Sequence, residues 1–102
     1  MTAVQNEVAN NRFTATVEGI DGFAAELVYR QVGRRLVLIH TGVPDELGGH
    51  GVGGALVRAA IDWAEEEHLV VVPKCPFANA WLRKHPDEAA RVDIDWAAAE
   101  VS

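Results

Sequence analysis

Residues 35–73 read RLVLIHTGVPDELGGHGVGGALVRAAIDWAEEEHLVVVP, and this stretch decides the fold. Arg35 to His40 is apolar on both faces, the pattern of a central strand rather than an edge. Thr41 to Gly49 is a loop carrying Gly42, Pro44 and Asp45. From Gly51 the period changes to 3.6. Val52, Leu56, Ala60, Trp63 and Ala64 fall on one stripe, and Arg58, Asp62, Glu65 and Glu66 fall opposite, which predicts a helix to about His68. Leu69 to Val72 is short, apolar and β-branched, and Pro73 bounds it, so a fully buried strand is expected. Strand, helix and strand in this order call for a right-handed crossover, with the second strand parallel to the first.

Working outward, Phe13, Ala15 and Val17 alternate with Thr14, Thr16 and Glu18, as in a strand with one buried face. Asp21-Gly22 within Gly19–Gly22 is a hairpin signal. A second alternating run places Phe23, Ala25, Leu27 and Tyr29 on one face, and Gly33 marks the next turn. Residues 1–11 lack an apolar period and read as a flexible leader. Downstream, Asn79 to Lys84 predicts a short helix stopped by Pro86, and the tail from Asp87 gives no clear element. The fold class is therefore α+β: an antiparallel meander, then one main helix and a parallel strand, in a single small domain over residues 12–102.

The chain has 102 residues, 49% of them hydrophobic and 24% charged, which suits one small core. No apolar run is long enough for a membrane span, and residues 1–11 lack the pattern of a secretory signal. A formal charge of −6 argues against nucleic acid as a partner, because such binding displaces counterions with a positive field. The one cysteine, Cys75, cannot form an internal disulfide, so a reducing cytoplasm is the expected compartment.

Five of the nine glycines lie in Gly48-Gly49-His50-Gly51-Val52-Gly53-Gly54, where the helix begins. The first amides of a helix lack intrahelical partners and sit at the positive end of its dipole, and glycine lets a ligand approach them closely. The cluster therefore predicts an anion site for a phosphate or pyrophosphate. Gly49, Gly51 and Gly54 spell the dinucleotide pattern G-x-G-x-x-G, but Thr41 to Leu47 separate it from its strand, and the next strand ends near Pro73-Lys74 rather than at an acid. A Walker loop is excluded, since no Gly-Lys-Ser/Thr occurs.

Gly49-His50-Gly51-Val52-Gly53, preceded by Val43-Pro44 and a five-residue spacer, resembles motif A of the GNAT acetyltransferases. Glu18-Gly-Ile-Asp-Gly22, Tyr29-Arg30, His40-Thr-Gly-Val-Pro44, Val72-Pro-Lys-Cys-Pro-Phe77 and His85-Pro86 are similar to the minimal, YjdJ-like branch of that superfamily, so the likeness spans about Arg12 to Pro86. The resemblance implies a GNAT-like sheet whose two central strands splay around acetyl-CoA. It assigns the backbone at Thr41 and Val43 to the pantetheine arm and acetyl carbonyl. It assigns Gly49, His50, Gly51, Val52, Gly53 and Gly54 to the pyrophosphate. Two departures stand out. The motif's first position, usually Arg or Gln, is Gly48, and the tyrosine acid of larger relatives has no counterpart, because Tyr29 lies on an early strand.

For chemistry, the resemblance brings Cys75 to the acetyl group, whereas a free cysteine by itself is more often a small buried apolar residue. His40, at the end of a central strand, is the candidate base for the acceptor amine, with a satisfied structural histidine the equal alternative. The four histidines and Cys75 have no metal-ligand spacing, so no metal is expected. A serine hydrolase is excluded, because the only serine is Ser102. The expected activity is N-acetyl transfer from acetyl-CoA to an amine acceptor, including a protein or peptide terminus. The alternative is a non-catalytic acyl-CoA-binding or interaction module. A Cys75–His40 thiol hydrolase is a weaker third reading.

Overall fold

A computed structural model describes residues 1–100. Five strands form one sheet in the order of the chain: β1 (Thr2–Glu7), β2 (Arg12–Val17), β3 (Ile20–Val32), β4 (Arg35–Gly42) and β5 (Val70–Pro73). The first four pair antiparallel and β5 joins β4 in parallel, as the crossover requires. Between them runs α1 (Val52–Glu67), whose Val52, Leu56, Val57, Ala60, Ile61 and Ala64 are buried. They pack on the inner face of the sheet, built from Phe13, Ala15, Ala25, Leu27, Tyr29, Leu36 and Leu38. Among the described residues no helix is long and apolar enough to cross a membrane.

The N-terminal residues depart from expectation. Residues 2–7, read as part of a flexible leader, form a strand that pairs with β2 from Thr2↔Val17 to Glu7↔Arg12. An edge strand buries only part of one face, so Thr2, Val4 and Asn6 leave no strong apolar period. Its anchor is polar: the Tyr29 hydroxyl donates to Asn6 Oδ1 at 2.6 Å. The first hairpin also turns earlier than Asp21-Gly22 suggested. Val17 pairs with Ile20, so Glu18-Gly19 is the turn, and Gly19 has φ of +88°.

After β5 the chain forms α2 (Pro76–Lys84), α3 (Pro86–Ala89) and α4 (Trp96–Ala99). Helix α2 starts ahead of Asn79, because Pro76 occupies its first turn, where a missing N–H costs nothing. The tail, unplaced by its sequence, bridges Val71 in parallel through Ile94. Arg91 binds Asp62 and Glu65 of α1 and Glu88 of α3, which fastens the tail to the main helix.

Candidate functional site

Three local features build the site. The first is a bulge. Val28 pairs with His40 while Tyr29 pairs with Leu38, so Ile39 is an extra residue on β4. Leu36 and Leu38 point inward, and strict alternation would send His40 after them. The bulge breaks the alternation: His40 lies with Val28 on the outer face, and Thr41, opposite Leu27, turns inward. There the Thr41 hydroxyl meets the Cys75 sulfur at 3.1 Å. Cys75 is only 2% exposed, and His40 is exposed. The two candidate chemical residues therefore occupy opposite faces of β4.

The second feature is the splay. Parallel pairing of β4 with β5 ends at Leu38↔Pro73, and the Cys75 N–H takes the Leu38 carbonyl at 2.8 Å. Beyond this point the chain of β5 turns away into α2, while β4 runs on to Gly42. Its β5-side edge from Ile39 onward thus faces no strand. Exposed apolar side chains gather in this part of the chain: Ile39, Val43 and Phe77 are each more than a third exposed.

The third feature is the glycine loop. Gly49 and Gly51 have φ of +81° and +69°, the left-handed region that side chains avoid, and a Cβ on either would point into open space. Gly51 is the N-cap of α1. Backbone N–H groups of the loop and first turn thus stand beside an uncluttered surface, a cradle suited to an anion. Gly53 and Gly54 differ. A Cβ on Gly53 would lie 2.6 Å from the Phe77 ring, and one on Gly54 would lie 2.7 Å from the Trp81 indole nitrogen. These two let α2 pack closely on α1. Gly48 is extended, at φ −62° and ψ 147°, and bonds Asp45.

Loop and helices enclose a groove of about 550 Å³ lined by Val43, Gly49, Gly51, Val52, Arg58, Phe77 and Trp81, with Gly48, Gly53 and Gly54 also on its wall. Most of the expected anion-site residues line it, and His50 and Thr41 do not. Arg58, Phe77 and Trp81 are additions that the sequence reading left on a solvated face or unassigned. The Arg58 guanidinium stands over the Trp81 ring at 5.3 Å and pairs with Glu88 at 3.1 Å. A signal for it existed: positions 51, 54 and 58 share one helical stripe.

Tyr29 is removed from the site. It is buried in a cluster with Phe13 and Trp63 at ring separations of 5.2 and 5.3 Å, and burial raises its phenol above the ordinary value. Among the described residues no group of three or more His, Cys, Asp or Glu could hold a metal ion.

Residues 12–92 match the family model for GCN5-related N-acetyltransferases. The chain is 33% identical over 84 residues to Protein NATD1 of Gallus gallus, spanning 81% of this chain and 76% of that one. It is equally similar to Protein NATD1 of Homo sapiens, of which it spans 74%. The NMR solution structure of a GCN5-like protein from Staphylococcus aureus superposes with a TM-score of 0.67 at 30% identity, covering 92% of this chain and 91% of that one.

Proposed function

Because the chain belongs to the GCN5-related N-acetyltransferase family, we propose that it binds acetyl-CoA and transfers the acetyl group to an amine acceptor. The observation that carries this reading is the splay. The free edge of β4 from Ile39 to Gly42, left where pairing with β5 stops, runs to the loop that holds the anion cradle. An extended arm rich in amides, ending in a pyrophosphate, fits such a path as a partial strand would.

Each residue then has a task. Backbone groups at Thr41 and Val43 hold the arm, and N–H groups around Gly49 and Gly51 hold the pyrophosphate. Arg58 supplies the cation that Gly48 lacks. Cys75, bonded to Thr41 beneath the free edge, lines the acyl end rather than carrying the acetyl group, since its sulfur is buried and occupied. His40, exposed on the outer face, takes a proton from the acceptor. Acetyl-CoA, when bound, supplies the activated acyl carbon and a thiolate leaving group. A free cysteine as the chain's only one supports a reducing, cytoplasmic setting.

The test has two stages. Acetyl-CoA and CoA should each raise the melting temperature and shift the Gly49 and Gly51 amide resonances, and NAD and ATP should not. Mass spectrometry of an amine panel then scores transfer. A shift from NAD without one from acetyl-CoA overturns the reading. Tight acetyl-CoA binding with no transfer to any amine marks a binding module instead.

A further inference from the structure

The outer face of the sheet carries a second groove, of about 610 Å³, at the same end of β4. Glu7, Arg12, Thr14, Glu26 and Gly42 line it, and Val43 belongs to both grooves. The two spaces therefore share Val43, just past the end of β4, as a wall residue.

Gly42, the last residue of β4, lines this outer groove and pairs with Glu26 of β3. Its backbone does not need glycine, since its φ lies outside the left-handed region. A Cβ there would make ordinary contact, 3.4 Å from His40 Nε2 and 3.8 Å from Glu26 Cγ, so the missing side chain leaves room between the imidazole and the Glu26 side chain.

Glu26 is held in place with one oxygen unused. Its Oε1 accepts from Arg12 at 3.2 Å, and its Oε2 has no hydrogen-bond partner among the described residues. Arg12 is fixed in turn by Glu7 at 3.1 Å, and Glu7 also accepts from Asn10 and Thr14. Those bonds hold the Glu7 carboxyl below its ordinary value. Two carboxylates against one guanidinium leave the groove with one net negative charge beside His40.

Resting on the acetyl-transfer reading, we propose that this groove is the acceptor site, that it takes an alkylammonium group with no anionic group beside it, and that Glu26 selects that group. Glu26 Oε2 receives the ammonium and Gly42 leaves it room. A free amino acid brings its carboxylate against Glu26 and Glu7 and is rejected. In the transfer the ammonium gives one proton to His40, and its lone pair forms the C–N bond to the acetyl carbon. The C–S bond breaks, sulfur keeps its electron pair, and the second nitrogen proton ends on sulfur. The products are an N-alkylacetamide, a free thiol and a proton on His40.

Amide NMR separates this proposal from the reading it rests on. Titrated without acetyl-CoA, n-butylamine and the side chain of Nα-acetyl-lysinamide should shift the resonances of Thr14, Glu26, His40 and Gly42, and free glycine should not. The two amines distinguish a small-molecule source from a protein side chain by their relative affinity. Glu26→Gln should weaken this binding at least tenfold and raise KM for the amine with little change in kcat. Acetyl-CoA shifts at Gly49 and Gly51 should stay within twofold of wild type. Gly42→Val, which fills that room from the other side, should have the same effect on amine binding. Amine shifts that are absent, that glycine reproduces, or that survive Glu26→Gln overturn the proposal. Loss of acetyl-CoA shifts in the wild-type protein overturns the cofactor reading alone.

Discussion

The run Gly48–Gly54 looks uniform in sequence and divides in two in space. Gly49 and Gly51 hold left-handed backbone beneath open solvent, and Gly53 and Gly54 lie against aromatic rings of α2. The first pair is glycine because of its torsion angles and the access it gives to backbone N–H groups. The second pair is glycine because two helices approach too closely for a side chain. A motif can thus be one pattern and two physical requirements, so substitutions in its two halves should fail differently.

The largest effect is expected at Gly51→Asp. It places a carboxylate at the N-cap, in the anion cradle, and should weaken CoA by at least about a hundredfold, about 2.7 kcal/mol. The melting temperature should change little, since aspartate tolerates left-handed backbone better than most residues. Calorimetric titration and a melting curve check both halves of that statement. Gly53→Val should do the reverse. Its branched side chain displaces the Phe77 ring and costs about 2 kcal/mol of stability, read by urea unfolding. Below the transition it should still bind CoA within a few-fold. Equal losses of binding and stability in both variants would erase the distinction.

Cys75→Ala sharpens the comparison from the acyl end. CoA affinity should hold, and transfer should fall about tenfold, as expected of a thiol that positions rather than carries the acyl group. An acetylated wild-type protein seen by intact mass would overturn that role. The smallest effect belongs to Arg58→Gln. Half exposed and shared with Glu88, Arg58 should contribute about 0.5–1 kcal/mol to CoA binding, three- to fivefold. The loss should shrink as salt rises, because screening weakens an exposed contact.

The sequence carried the crossover well, because a two-faced apolar strand, a 3.6-period helix and a β-branched run each leave a strong periodic signature. It carried β1 poorly, because an edge strand of Thr, Val and Asn buries too little to show one. Placing the glycine cluster at a helix start needed only local geometry, and most of its residues do line the groove. Telling Gly51 from Gly53 needed Phe77, whose contact comes from tertiary packing. The placement of Cys75 and His40 on opposite faces of β4 was hidden for a similar reason. One bulged residue, Ile39, reverses the face of everything after it on β4, and no composition or spacing marks where a bulge falls. Glu26 escaped notice because its meaning lies in what faces it across Gly42.

The strand order has a kinetic consequence. Each of the first four strands pairs with its neighbour in the chain through a short turn, so these contacts close small loops and form early. Only the β4–β5 pair must wait for a whole helix to be laid down between its partners. The α2 wall of the groove, Phe77 and Trp81, depends on that late closure, since α2 follows β5. During refolding, a CoA-dependent signal should therefore lag behind the signal of the meander, and ligand competence would mark the final event in the assembly of the chain.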